Sequence, residues 1–483
     1  MTNFWDSDVW GFLTLFGLLL GGLLFANFLK RKVGFLRRSL IPASVLAGLV
    51  LLAVSFAYTM IVGKNDAGEY QNLFKLPMFN GNVTSGLDIL YVITYHCLAL
   101  GFAATTLGAT KKPLGKKRAG EIFDTGVTTV ASYLMQGVLG LGITILAAKL
   151  IEGVFAPAGV LLPFGFGQGT GQAMNYGGIY ETDYGFSGGK NFGLTVAAIG
   201  FLSASIGGIF HLGHLKKQGK FTARPSEIEV ATRPIAEEEE VTSGGGADRF
   251  TLQFALIAIA YFLSYVIMLL LSKLLPSMQA TIYGFNFLFA VLMATLIRSI
   301  VEFLTKKKIA HRAYISPYLM ARISGFFFDL MIVAGVSAIE INDIKNYMLP
   351  VVILSVVGAI ITYIYIRLVS KECFKGFDHE LFLMGYGTLT GTASNGMILM
   401  KEIDPSLRTP TSSLYILSNF PAMVMIAPLL FLLSFAGKSF TNAIIAFAIF
   451  FVLWAVYTVF LFRRRIFKKH YADKPVEEWK DEE

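Results

Sequence analysis

Charge is scarce in this chain and cysteine almost absent. Charged residues make up 15% of the 483 positions, and the two cysteines are Cys97 and Cys373. Against that scarcity stand 54% hydrophobic residues and a mean hydropathy of +0.61. So apolar a composition excludes a soluble fold and points to a polytopic membrane protein. Two cysteines placed in distant spans exclude a disulfide framework. Also missing is any nucleophile set beside a base, any paired-carboxylate site and any nucleotide loop, since no Gly-x-Gly here follows a strand. An enzyme is not expected, and no cofactor is implied. The N-terminus lacks a basic region before its first apolar run and a small-residue cleavage site after it, so that run reads as a retained span.

What the chain does contain is long apolar runs. Eleven are near the ~20 residues that cross a hydrocarbon core. They lie near 9–29, 40–62, 87–108, 126–150, 191–212, 251–275, 281–304, 315–337, 347–369, 412–434 and 440–462. Segments 155–176 and 380–400 are also apolar but are broken by glycine, and they read as re-entrant. The predicted class is therefore an all-α polytopic membrane protein with about eleven spans.

The net charge of +9 is topological and does not call for nucleic acid. Basic residues cluster in alternate loops, at Lys30–Lys32, Lys111–Arg118, Lys306–Arg312 and Arg463–Lys469. The positive-inside rule then places the N-terminus outside and the C-terminus in the cytoplasm. That parity holds only if neither broken segment crosses. The first then enters from outside and the second from the cytoplasm. Five spans with a break between the fourth and fifth occur twice, in opposite orientations, which is the pattern of an inverted-topology repeat. The expected organisation is a first repeat over 1–212, a flexible cytoplasmic linker over 213–250, a second repeat over 251–435, and an extra span with a basic tail over 436–483. The linker is too polar to pack, with its Glu237–Glu240 run and Gly244–Gly246. Asn82-Val83-Thr84 fits a glycosylation sequon, a tripeptide common by chance.

The two breaks are Phe164-Gly165-Phe166-Gly167-Gln168-Gly169-Thr170-Gly171 and Gly385 to Gly396, which contains Thr388-Leu389-Thr390-Gly391-Thr392-Ala393-Ser394-Asn395. Irregular backbone survives at membrane depth only where it is buried in protein or lines a wet cavity. Glycines at 165, 167, 169 and 171 clear space for backbone amides to approach a ligand, and a helix starting at a break turns its positive end to an anion. The expected substrate-binding set is Gly167, Gln168, Gly169, Thr170, Gly171, Gly391, Thr392, Ser394 and Asn395. Hard cations take oxygen ligands. Thr388, Thr390, Asn395 and, from the eighth span, Asp329 are the candidate sodium ligands. The bland alternative is that small residues only let helices pack closely.

Ionisable groups inside spans are costly, at ~2.5–3.5 kcal/mol at a helix centre. Asp329 either helps hold sodium or pairs with Arg322 or Arg298. His96, in the third span, reads as a satisfied, buried neutral histidine. His211 and His214 stand at i, i+3 without a third metal ligand, so they read as a basic interfacial flank. Gly385-Tyr386-Gly387 matches part of a potassium-filter motif, but a filter needs fourfold carbonyl rings and this loop occurs once. A channel stays open as the alternative reading.

The order of spans, Gly-Gln-Gly-Thr-Gly at 167–171, Tyr184-Gly185-Phe186, and Leu389-Thr390-Gly391-Thr392 running on to Gly396-Met397-Ile398-Leu399-Met400-Lys401-Glu402-Ile403-Asp404 resemble the sodium/glutamate symporter family. The likeness covers most of 1–435. It implies a homodimeric carrier of a bacterial inner membrane, similar in plan to the 2-hydroxycarboxylate transporters, moving glutamate or a related amino or dicarboxylic acid with sodium. In that plan the two re-entrant tips meet near the midplane. The chain departs from the family at Gly165-Phe166-Gly167-Gln168, where glutamate carriers usually carry Ser-Gly-Gly-His, and in its long linker and eleventh span.

Overall fold

Lipid offers the peptide group no hydrogen-bonding partner, so an apolar chain of this kind must satisfy its backbone within helices. A computed structural model describes residues 4–65, 68, 70–80, 84–109, 118–219, 248–307, 315–405 and 408–467. Among the described residues there are helices and no strand. In order these are α1 (Ser7–Lys32), α2 (Gly34–Arg38), α3 (Ala43–Val62), α4 (Gly86–Gly108), α5 (Ala119–Leu150), α6 (Leu161–Tyr184) and α7 (Gly189–Lys217). There follow α8 (Arg249–Leu274), α9 (Gln279–Gly284), α10 (Asn286–Lys306), α11 (Pro317–Ser337) and α12 (Met348–Cys373). The last are α13 (Asp378–Thr390), α14 (Ala393–Lys401), α15 (Thr411–Gly437), α16 (Phe440–Leu461) and α17 (Arg463–Ile466).

Ten of these helices, namely α1, α3, α4, α5, α7, α8, α10, α11, α12 and α16, are long and apolar enough to cross a bilayer. The 27-residue α15 stands where the tenth sequence span was expected. The protein is thus an all-helical, multi-pass membrane protein. Large side chains such as Leu24, Ile61, Phe262, Ile360 and Val452 are exposed along these helices, an apolar surface suited to lipid. Hydroxyls within the helices donate to the carbonyl four residues back, as Ser132 does to Thr128 and Ser264 to Ala260, at 2.7 Å in both cases. The seventh span differs from expectation, because Phe285 interrupts it between α9 and α10. Most of the expected linker, residues 220–247, lies outside the described residues, as do Asn82 and Val83 of the sequon and most of the basic loop at 111–118.

The chain divides into two compact units. The smaller comprises His96–Lys112 and Phe210–Phe328. Phe102 packs against Phe287 and Phe328 at ring distances of 5.6 and 5.4 Å, and Ser324 Oγ donates to the Gly101 carbonyl at 3.0 Å. His96 Nδ1 lies 2.6 Å from the Tyr261 hydroxyl, so it has the expected partner, but the residue is exposed and not buried as expected. Arg298 pairs with Glu302 at 3.0 Å, and Arg322 donates to the Tyr318 hydroxyl at 3.2 Å. His211 is buried, and His214 lies 2.8 Å from the Gln218 amide.

The larger unit comprises Met1–Tyr95, Pro113–Ile209 and Asp329–Glu483. It holds two helical hairpins. Within α6, Gly169 has φ 73° and ψ −162°, a backbone conformation that is essentially glycine-only. A straight helix would separate positions 164 and 176 by about 18 Å. The rings of Phe164 and Tyr176 are 4.5 Å apart, so the chain reverses at Gly169. The ring of Phe155, ahead of the first arm, likewise meets Tyr180 of the second at 5.3 Å. The other reversal lies at Gly391–Thr392. A Cβ on Gly387 of α13 would stand 2.6 Å from the Gly396 Cα of α14, so the two backbones touch. Gly→Ala at either position would push the arms apart.

Helix α16, outside the expected repeats, covers α5. Phe450 and Phe447 lie over Gly137 and Gly142, and Arg463 grips Asp124 with two hydrogen bonds of 3.0 and 2.9 Å. Cys373 is a free thiol whose Sγ donates to the Leu461 carbonyl at 3.4 Å, and Cys97 is also free.

Outside the spans, the turn between α11 and α12 carries two part-buried carboxyls. Burial pushes Glu340 above the ordinary carboxylate range, with Lys75 at 3.1 Å and the Asn72 amide at 3.2 Å pulling it partly back. Burial raises Asp343 as well, while the Asn191 amide donates to it at 2.9 Å. A carboxyl raised on folding holds its proton more tightly in the native state than in the unfolded one. Its stabilising contribution is whole below the unfolded pKa, about 4.3 for a glutamate, and is lost as pH rises through the folded value. Melting temperatures measured upward from about pH 4 should therefore decline less in Glu340→Gln than in the wild type. Parallel declines would refute this origin for the pH dependence.

Candidate functional site: two hairpin tips on α7

Helix α7 serves as a ruler for both hairpins. Along the first, Gly177 meets Gly189, Ala173 meets Gly193, and a Cβ at Gly169 would lie 3.4 Å from Phe201. Along the second, Leu399 meets Gly208, Tyr386 meets Gly207 and donates its hydroxyl to the Ser203 carbonyl at 3.2 Å, and the Thr390 carbonyl lies 2.5 Å from where Gly200 would carry a Cβ. The first hairpin thus runs along α7 from 189 to 201, and the second from 208 back to 200. They approach from opposite ends, and their tips meet at Gly200–Phe201. Gly200 itself touches both, since the Phe166 ring is 2.9 Å from the same position.

Helices α5 and α12 repeat this geometry. The Tyr133 hydroxyl of α5 donates to the Gly167 carbonyl at 3.0 Å. One turn on, Gln136 Nε2 donates to the Leu389 carbonyl at 2.8 Å and to Thr362 Oγ1 of α12 at 3.1 Å. On α12, Gly358 faces Leu162 and Phe166 of the first hairpin, Ile366 faces Gly385 of the second, and Arg367 binds Asp378 at the base of α13 at 2.7 Å.

The individual residues have distinct roles. Gly167 leaves no room for a Cβ against the Tyr133 ring, and Gln168 is half-buried beside Tyr133. Thr170 is buried and donates to the Met331 carbonyl at 3.2 Å, with Gly171 buried behind it. Thr392 caps α14, accepting from the Asn395 backbone amide at 3.4 Å, and its hydroxyl donates to Asn395 Oδ1 at 3.0 Å. Asn395 is 2% exposed, and its Nδ2, beside Gly391, has no partner. As oriented it presents a donor suited to an anion, whereas a flipped amide, carrying the same atoms, would present an acceptor suited to a cation. Ser394 is exposed at the start of α14. Thr388 Oγ1 is buried without a partner, and Thr390 Oγ1 is already committed to the Tyr386 carbonyl at 2.6 Å.

Asp329 is not brought to the tips. Its residues one and two turns on, Val333 and Val336, face Gly48 of α3, and its carboxylate lies beside Ser44. Met331 and Gly335 of the same helix face Gly169 and Thr170. At 100° per residue, Asp329 and Met331 point about 160° apart. Among the described residues Asp329 forms no ion pair.

The structure adds residues that the breaks did not announce. Gln136, at 0% exposure, keeps an unpartnered Oε1 beside the second tip, and the Tyr415 hydroxyl is buried without a partner against Gly385. In the return arm of the first hairpin, Gln172 is fully buried with both amide atoms unpartnered. Buried polar atoms left unpaired are costly in a finished core and mark places where a ligand or water completes the bonding. A lone glutamine within the apolar run 126–150 was the available signal for Gln136.

Chemically, each tip offers both signs of partial charge. The incoming arms end in helix C-terminal carbonyls, and the return arms begin with helix N-terminal amides. A scan against protein-family models gives no match, and a search of curated proteins gives none that is significant.

Proposed function

We propose that this protein is a secondary active symporter that couples sodium entry to import of a small anionic organic solute, an amino acid or carboxylate, by alternating access. The observation that carries this reading is the meeting of two glycine-hinged hairpin tips on one stretch of α7 from its opposite ends. Irregular backbone is tolerated at such depth only in protein or beside water, and paired broken helices mark transporter sites. We read the hairpins as re-entrant elements of two inverted five-span repeats, each entering from its own side of the membrane. Amides of the return arms and the Asn395 side chain would hold the anion, while carbonyls of the incoming arms with the Thr388 and Gln136 oxygens would hold sodium. The resemblance to the sodium/glutamate symporters supports the same mechanism, a homodimeric assembly and placement in a bacterial inner membrane.

Coupling has an electrical constraint. Each elementary charge crossing ~100 mV is worth ~2.3 kcal/mol, so a monoanion imported with one sodium gains nothing from the potential, and two sodium ions are needed to draw on it. Proteoliposomes given separate sodium, proton and potassium gradients should accumulate solute saturably under the sodium gradient alone, and faster with an inside-negative potential. Ion current that neither saturates nor requires a solute would establish a channel instead.

A further inference from the structure

The return arm of the first hairpin carries a row of polar side chains that the tips do not use. Gln172, Tyr176, Tyr180 and Tyr184 recur at every fourth residue of α6, ~6 Å apart along the axis and drifting ~40° per step, so they share one face. Side chains on a helix lean toward its N-terminal end, which on this arm is the hinge at Gly169. Each member thus reaches over the one before it, and Gln172 reaches toward the tip.

The inner and outer members differ in how they are satisfied. Gln172 and Tyr176 are 0% and 1% exposed, and neither amide atom of Gln172 nor the Tyr176 hydroxyl has a partner. Such groups cost ~1–3 kcal/mol each in a permanently dry core. They are tolerable where water or an ion reaches them in another state of the molecule. Tyr180 is buried but bonded, its hydroxyl donating to the Leu433 carbonyl at 3.0 Å, and its ring meets Phe155 at 5.3 Å and Tyr184 at 5.9 Å. Leu433 lies within α15, four residues before its end at Gly437, so its carbonyl has a helical amide as its regular partner and the tyrosine can leave without orphaning it. Tyr184 is half-buried against Gly437. Along the arm, Tyr180 therefore stands as a detachable plug between two dry polar groups and the far end.

That far end is negative. α6 stops there, at Tyr184, and a helix C-terminus carries about half a negative charge. Asp183, exposed and seven residues beyond Tyr176 on the same face, adds a carboxylate. Lys190 lies on the other side of the arm, its chain beside Gly178 and its ammonium 5.3 Å from the Tyr91 ring. Inward of Asp183 the row offers amide and hydroxyl oxygens, which hard cations accept, and no carboxyl or imidazole to relay a proton.

We propose that this face of α6 is the outer entrance by which sodium and its water reach the tips, with Tyr180 as a gate that is shut in this structure. This rests on the symporter reading and on its membrane orientation.

The test uses single cysteines in the whole chain, with Cys97 and Cys373 changed to serine, reconstituted in liposomes. Silver ion, a thiol-reactive monovalent cation of near sodium size, is added from either face in chloride-free buffer, and unreacted thiols are counted with a fluorescent maleimide after unfolding. Rates are referred to the exposed Thr182→Cys. Gln172→Cys should react from the outer face at least about tenfold faster when combined with Tyr180→Ala, since the hydrogen bond and aromatic contacts that hold the gate are gone. Tyr180→Phe, which keeps the ring but releases Leu433, should fall between. Met174→Cys, buried two residues on and ~160° away around the helix, should not change. An equal acceleration there would show that the arm merely loosens, and no acceleration at Gln172→Cys or Tyr176→Cys would refute the entrance. Sulfonatoethyl methanethiosulfonate, an anion, should trail silver at Gln172→Cys on the same scale; if it leads, the row is the path of the solute and not of sodium. None of these rates requires a transported solute, so failure to accumulate solute under any gradient would overturn the symporter reading, whereas unchanged labelling would overturn the entrance alone.

Discussion

Gly169→Val should abolish sodium-driven uptake while leaving the protein inserted. Residue 169 holds φ 73° with ψ −162°, where a β-branched side chain costs on the order of 1–3 kcal/mol, and Phe201 stands 3.4 Å from the new Cβ. The cheapest relief is for the tip to open, which moves Gly167 away from Tyr133 and Thr170 away from Met331. That free energy corresponds to an uptake rate roughly 5- to 150-fold lower. The second tip has a companion variant. Gln136→Leu removes the donor that holds the Leu389 carbonyl and Thr362 and leaves both buried, at about 1–3 kcal/mol. Asn395→Ala removes the unpartnered amide with little loss of packing, so it should raise the solute or sodium concentration needed for half-maximal uptake. Wild-type uptake in well-expressed Gly169→Val and Asn395→Ala would remove the tips from the mechanism.

Single cysteines introduced at Glu152 and at Lys375, after Cys97 and Cys373 are changed to serine, should react with an impermeant thiol reagent from opposite faces of the membrane. Both positions are exposed. Glu152 precedes the first hairpin by a few residues, and Lys375 precedes the second. The opposite approach of the hairpins along α7 requires their bases to lie at opposite ends of it. A cysteine at Ser394, exposed at the second tip, should in addition gain or lose reactivity when sodium and solute are added, because alternating access opens one site to each side in turn. Labelling of positions 152 and 375 from one face would overturn the inverted arrangement and the principal structural reason for reading this chain as a symporter.

The sequence by itself determined the class, the positions of the spans and the two places where helix must fail. Those depend on composition and local pattern. Twenty apolar residues have few alternatives to a helix in lipid, and clustered glycines weaken that helix locally at 165–171 and 385–396. The capping of α14 by Thr392 was equally local, since a hydroxyl two or three residues ahead of a helical amide can reach it unaided. Tertiary structure alone decided what the breaks do. That α6 folds back rather than kinking and continuing rests on Phe164 meeting Tyr176. That both tips arrive at Gly200 rests on the spacing of glycines along a third helix. Asp329 shows the limit from the other side, because its sequence depth was legible but its direction was set by which face of α11 packs on α3. Gln136 and Thr362 joined the site for the same reason. Each is an unremarkable polar residue in an apolar run until three helices bring it to the end of a fourth, where an unsatisfied carbonyl in a medium without water must find a donor.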